Sequence, residues 1–260
     1  GIAFDVVFEP SFPTAREKQS RRERKGVVEE DLARLAQFGR WRGWIAVAGE
    51  RYTLDPRHWW GQRDRSWGIR SEMRTDHDRP PVQQHANFLW TWSMFQLRDA
   101  AVSMFLKERE PGHPYYFSCT EFQRRADGHV VHREATGVEH AIDWADDPLG
   151  QTIRTAEFVL HFSDGASRRL EVSGLPARFY LKAGLYGGFG GWNHGDDVGP
   201  YHEACDVWDL DDPATRARAR TLSDHVLAVR SDGDAGIGIG EYGVAAGYPR
   251  YAAVQRFPAL

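Results

Sequence analysis

Asp64 lies between Arg63 and Arg65 in the stretch Gly61–Arg70, GQRDRSWGIR, with Trp67, Gly68 and Arg70 close behind it and Trp59 and Trp60 just before. Indoles are apolar and guanidiniums strongly solvated, so interleaving them is costly unless the arginines are paired. A carboxylate flanked by arginines can be that partner, held by bidentate hydrogen bonds. Two readings follow. Asp64 is an acid or anchor in a site whose wall includes Arg63, Trp67 and Arg70. Alternatively, the same groups form a structural ion pair that pins a strand to a loop.

A second carboxylate stands in Gly236–Gly243, GIGIGEYG. Ile237, Ile239 and Glu241 share one face at period two, and the opposite face is mostly glycine until Tyr242. A carboxylate on an apolar face is either a site group or a paired core group. Glu121, sharing a face with Phe117 and Cys119, poses the same choice. Asp64, Glu241 and His202 are the candidate catalytic groups. His194, His202 and Glu203 have no metal-ligand spacing, and neighbours in a strand face opposite ways. His202 is therefore read as a general base or hydrogen-bond donor, His140 as polar rim, and no metal is expected. The literal G-x-G-x-x-G at Gly238–Gly243 is rejected as a dinucleotide site: too few residues follow for a helix and a parallel strand, and they include Pro249. The run Gly187–Gly195, GGFGGWNHG, lacks the Lys-Ser/Thr of a phosphate loop. No organic cofactor is expected either.

The elements that must position these groups read mainly as strands. Phe88–Gln96 alternates Phe88, Trp90, Trp92 and Met94 against Leu89, Thr91, Ser93 and Phe95, and neither face is fully polar, so both are expected to be covered. Ile2–Phe8, Trp44–Ala48, Ala100–Lys107, Tyr115–Arg124, His129–Arg133, Gly137–Trp144, Ala156–Phe162, Arg168–Val172, Arg178–Tyr186, Tyr201–Leu210, Val226–Arg230, Ile237–Val244 and Tyr251–Phe257 read the same way, with hairpin turns at Asp127-Gly128 and Asp164-Gly165. Thr14–Gly26 reads as an exposed loop. Glu29–Phe38 reads as a short helix from the spacing of Leu32, Leu35 and Ala36, and Asp211–Leu222 as another, with Pro213 near its start. Turns recurring every 8–12 residues or so, with so little helix, point to antiparallel barrels or sandwiches.

The totals bound the rest. A chain of 260 residues forms one large domain or two small ones. Aromatics make up 13% and include ten tryptophans, which need a large core or a lined cavity. Trp90, Trp92, Tyr180, Tyr186, Trp192, Tyr201, Trp208 and Tyr242 are the candidates for lining one; most of these rings are expected to pack the core, and Trp90, Trp92, Tyr180 and Tyr242 are the ligand-binding candidates. The net charge of −4 gives no reason to expect nucleic acid or an anionic membrane. Cys119 and Cys205 do not make a disulfide framework, so a reduced, cytoplasmic setting is expected. No run reaches the roughly 18 apolar residues of a membrane helix.

The segment Asp64, Ser66, Trp67, Gly68 resembles the Asp-His-x-Trp-Gly pattern of the carotenoid 1,2-hydratase (hydroxyneurosporene synthase) and AttH-like group of the lipocalin-like, or calycin, superfamily, with Arg65 where the pattern has histidine. By pattern the resemblance extends over Asp31–Val254. It implies paired lipocalin-like β-barrels. The division is expected near residue 146, giving 1–146 and 147–260, and the first barrel is read as open to missing strands because the chain enters an apolar run directly at Gly1. The resemblance implies an acid, Asp64, that protonates an isolated alkene, after which water traps the tertiary cation. Such an acid needs apolar surroundings to hold its proton, whereas two flanking guanidiniums favour the anion and an anchoring role. The expected function is a cofactor-independent hydratase, isomerase or cyclase acting on a hydrophobic isoprenoid- or polyketide-like molecule in a barrel pocket. A non-catalytic carrier of such a ligand and a structural partner are the rivals, and a homodimer is left open.

Overall fold

The computed structural model describes residues 1–69, 87–146, 151–180, 197–203, 207–219, 223–245 and 247–254. The first part is an open antiparallel sheet organised on one long strand. β1 (Ile2–Pro10), β2 (Ala15–Arg16) and β3 (Ser20–Arg24) line one edge of β4 (Val27–Val47), and β5 (Glu50–Leu54) and β6 (Trp60–Ile69) line the other. The helix expected over Glu29–Phe38 is therefore part of β4, and the loop expected over Thr14–Gly26 holds β2 and β3. Leu, Ala, Glu and Gln are good helix formers, but Glu30, Ala36 and Phe38 are buried on one face at period two. Burial of that face and ladders on both edges outweigh a propensity worth a few tenths of a kcal/mol per residue.

The second part is a closed eight-stranded antiparallel barrel. Its strands are β7 (Leu89–Leu97), β8 (Ala100–Glu110), β9 (His113–Arg124), β10 (Val130–Trp144), β11 (Ile153–Phe162), β12 (Ser167–Tyr180), β13 (Ser223–Ser231) and β14 (Asp234–Val244). They run around the wall in the order β10-β11-β12-β13-β14-β7-β8-β9. The fold is thus all-β and antiparallel as expected, with one closed barrel beside one open sheet. The division expected near residue 146 falls between β10 and β11, both of them barrel strands. The described residues also include a short helix, α1 (Pro213–Ala219), close to where one was expected, and a 3-10 segment, Pro249–Val254, where the start of a strand was expected. The described parts of Tyr201–Leu210, expected as a strand, are irregular. Asp212 carboxyl oxygens accept from the backbone N–H groups of Ala214 and Thr215, capping α1.

Both faces of β7 are covered, as its alternation predicts. Leu89, Phe95 and Leu97 point inward to a core with Met104, Phe158, Leu160, Leu170 and Leu227, all of them sealed from solvent. These side chains fill the middle of the cylinder, where the expected ligand pocket would have been. On the outer side, Trp92 and Met94 join Phe12, Ala15, Ala36, Phe38, Ala101, Phe105 and Phe122 in a second cluster, which glues the open sheet to the barrel wall. The run Gly236–Gly243 follows the same geometry. Ile237, Ile239 and Glu241 face out toward the sheet, and the inward glycines leave room for rings from their neighbours. Gly243 faces out, and a Cβ there would stand 1.9 Å from the Trp90 indole nitrogen.

Candidate functional site

The row of residues across the outer barrel wall is fixed by strand register. Asp224 on β13 is opposite Glu241 on β14, Glu241 is opposite Trp92 on β7, and Trp92 is opposite Phe105 on β8. Directly opposed residues in adjacent strands have Cβ atoms about 5 Å apart. Two carboxyls and two large rings therefore form one line beneath the open sheet. The sheet lays its own polar groups over this line. Glu17, just after β2, is buried; its Oε1 accepts from Trp92 Nε1 at 2.8 Å and its Oε2 accepts from Arg34 Nη1 at 3.3 Å. Arg34 on β4 lies over the Trp92 and Phe105 rings, with its guanidinium carbon 5.7 and 5.3 Å from their centroids. Its Nε is 4.0 Å from Asp64 Oδ2. Asp64 on β6 closes the group and opens it to solvent, its side chain being 46% exposed.

The electrostatics follow from burial and from like charges. Asp224 and Glu241 are hydrogen-bonded carboxyls, partly buried, on adjacent strands. Two anions so placed repel each other in a low dielectric, and one proton shared between them relieves this. Burial first, and the Asp224 charge second, push the Glu241 carboxyl up to about 8. Burial pushes Asp224 up to about 6, with its hydrogen bond to Glu241 working the other way. Burial also raises Glu17, opposed by Arg34 and the Trp92 N–H. Around neutral pH the pair thus offers a proton on Glu241 and an anion on Asp224, a division of roles suited to acid–base work.

Of the groups singled out in the sequence, Asp64, Glu241 and Trp92 come together here. Arg63 and Trp67 do not, because alternate residues of a strand point to opposite faces. Arg63 lies on the far face of the sheet, hydrogen-bonded to Gln37 and stacked 4.7 Å from the Phe8 ring centroid. Trp67 is half-exposed on that same face. Gly68 beside it has φ of 127°, and a Cβ there would stand 1.9 Å from the Asp31 carbonyl oxygen, so the Trp-Gly pair marks a close strand crossing. We expect Trp67→Ala to lower stability by about 1 kcal/mol or less, a melting shift of roughly 2–4 °C at most, with no loss of ligand binding. Thermal melts and titration of the variant check both.

Tyr242 points into the barrel, where its hydroxyl accepts from Ser93 Oγ at 3.0 Å. Trp90 lies on the outer wall against Phe105. Tyr180 ends β12 opposite Ser223, the neighbour of Asp224. Glu121 lies inside one end of the barrel, ion-paired with Arg133 and Arg168. At the other end, His140 Nε2 is 2.6 Å from Glu108 Oε1 and its Nδ1 is 2.9 Å from the Tyr251 hydroxyl. His202 is exposed in the irregular stretch 197–203. Arg70, His194 and Cys205 lie outside the described residues. Burial, with neighbouring Glu134 and Glu121 adding to it, holds the Cys119 thiol well above its ordinary value. Among the described residues, no three His, Cys, Asp or Glu side chains are grouped to hold a metal ion, and no helix is long and apolar enough to cross a membrane.

Glu17, Arg34 and Asp224 were not anticipated. The period-two reading that exposes Glu241 would also have placed Asp224 on the face of Val226 and Ala228. Arg34 was hidden inside a helix-like composition, and Glu17 inside a charged run.

Several solved chains resemble this one, and two of them are compared with it. An AttH candidate from Nitrosomonas europaea aligns with a TM-score of 0.49 at 16% identity, over 94% of this chain and 61% of that one. Kievitone hydratase from Nectria haematococca aligns with a TM-score of 0.44 at 12% identity, over 94% of this chain and 62% of that one. The chain thus spans about three fifths of the length of each. No curated protein matches it. The sequence model of a family of unknown function, DUF8625, matches residues 1–249, nearly the whole chain, and the chain belongs to that family.

Proposed function

We propose that this chain is a cofactor-independent hydratase, or a hydro-lyase in the reverse sense, acting on a hydrophobic small molecule held between the open sheet and the barrel wall. The observation that carries this reading is the Asp224–Glu241 pair, which keeps a proton on a partly buried carboxyl into the neutral range beside Trp92. Glu241 gives that proton to one carbon of an alkene, and the C=C electron pair forms the new C–H bond. The cation left on the other carbon is stabilised by the Asp224 and Asp64 carboxylates. Water adds to it, and its surplus proton passes to the pair, restoring Glu241. The net change is alkene plus water to alcohol. This is the chemistry implied by the carotenoid 1,2-hydratase resemblance, with the acid moved from Asp64 to Glu241 and Asp64 kept at the solvent mouth.

The test uses geraniol, whose distal trisubstituted alkene is a generic isoprenoid target, with the protein in water labelled with oxygen-18. The expected product is a diol carrying one labelled oxygen at the distal tertiary carbon. Its rate should trace a bell in pH. The acid must be protonated, so the rate falls above about 8; the companion carboxylate must be ionised, so it falls below about 6. Saturable binding of geraniol with no labelled diol at any pH would favour the carrier instead.

A further inference from the structure

One polar atom in this site remains unanswered by the fold. Arg34 Nε is buried and has no hydrogen-bond partner among the described residues. Arg34 is held firmly: Nη1 donates to Glu17, the guanidinium lies over Trp92 and Phe105, and the side chain is 13% exposed. The Nε–H cannot swing elsewhere, and Asp64 at 4.0 Å lies beyond hydrogen-bond reach. Across the wall, the Asp224 carboxyl is engaged by Glu241. A buried donor or acceptor left without a partner costs about 1–3 kcal/mol. A purely hydrocarbon substrate would bury this N–H further and leave it unsatisfied. A hydroxyl or carbonyl oxygen can accept from it.

We infer that the substrate is an oxygenated amphiphile, an apolar chain bearing a hydroxyl or carbonyl oxygen, and that Arg34 selects it by donating through Nε to that oxygen. The inference rests on the site proposed above. It adds what that proposal leaves open, a polar anchor that sets which end of the molecule reaches Glu241. Sites built to hydrogen-bond a substrate group reject analogues lacking it far better than apolar pockets reject a missing methylene. Arg34 is thus a specificity-determining residue, and the Trp92 and Phe105 rings fix its plane.

The experiment compares geraniol with its deoxy analogue, the same isoprenoid diene with hydrogen in place of the hydroxyl, by calorimetric titration of the full chain. Wild type is expected to bind geraniol roughly 10- to 100-fold more tightly than the analogue. Arg34→Lys keeps a cation for Glu17 but removes the planar Nε–H. It should bring the two affinities within about threefold by weakening geraniol and leaving the analogue unchanged. Because Arg34→Met would strand buried Glu17 and endanger the fold, the lysine variant carries the test, with its melting curve recorded alongside. Equal affinities in wild type, or an unchanged ratio in Arg34→Lys, would overturn the inference while leaving Glu241-dependent hydration standing. Failure of both ligands to bind would remove the proposed site and the inference together.

Discussion

Glu241→Gln is expected to lose roughly 100- to 10,000-fold in turnover, the range a single general acid contributes, and to become more stable than wild type in alkaline solution. The two effects have one origin. In the folded protein the Glu241 carboxyl is pushed from 4.5 up to about 8. Between those two values the native state holds a proton that the unfolded chain has released, so wild-type stability falls as pH rises through that window. Below about 4.5 both states are protonated and the contribution vanishes; above about 8 the penalty is complete. Glutamine carries no such proton, so the variant escapes the penalty. A shift of one unit corresponds to about 1.4 kcal/mol, and because the proton is shared with Asp224 we expect a gain of roughly 2–3 kcal/mol at alkaline pH. Chemical denaturation at pH 5 and pH 8.5 should show the difference between variant and wild type widening with pH. Asp224→Asn sharpens the comparison: without the neighbouring anion Glu241 ionises more readily, and the alkaline limb of the rate profile moves down. A Glu241→Gln protein that hydrates geraniol at the wild-type rate would end the assignment of the acid.

That this carboxylate could be named from sequence alone reflects how strands encode burial. In Gly236–Gly243 and in Leu89–Leu97 the alternation is strong enough to assign each residue a face, and both assignments hold in the barrel. What the alternation cannot supply is which face looks at which partner. Sequence adjacency sets Asp64 beside Arg63 and Arg65, yet a strand sends those to the other side. The cation that approaches it is Arg34, thirty positions away in sequence and brought close by the β4–β6 ladder. Arg34 itself was concealed because Glu29–Phe38 is composed of helix formers, and its strand state is decided by pairing on both edges and by the barrel beneath it. The hollow expected inside the cylinder was also misplaced. The aromatics that suggested a lined cavity divide between a filled interior and the seam with the sheet. An eight-stranded barrel is narrow enough for side chains alone to fill, so aromatic content could not decide between a packed core and a pocket.

Glu121 was a ligand-binding candidate by the same parity reasoning as Glu241, and the two carboxylates separate on what surrounds them. Glu121 is buried inside the barrel end and held by Arg133 and Arg168. Arg168 also donates to Ser231 Oγ at 3.1 Å and Gln123 Oε1 at 2.7 Å, and is 3.3 Å from Asp232. These contacts tie β9, β10 and β12 to the β13 end, closing the barrel mouth with charge. Removing the carboxylate leaves a mostly buried guanidinium facing the core with only the exposed Asp232 as counter-ion, and breaking a buried pair costs about 3–5 kcal/mol. We expect Glu121→Ala to lower stability by about 3 kcal/mol, since Arg133 is partly exposed and can rehydrate. The activity of each folded molecule and its affinity for geraniol should remain at wild-type values. The pair Glu121→Leu with Arg168→Met should recover much of the loss, because an apolar substitute of similar volume removes the stranded charge together with its partner. Chemical denaturation gives the stabilities, and titration of the folded fraction gives the affinities. If Glu121→Ala instead abolished geraniol binding at unchanged stability, the ligand would lie inside the cylinder and the seam would be only a structural joint.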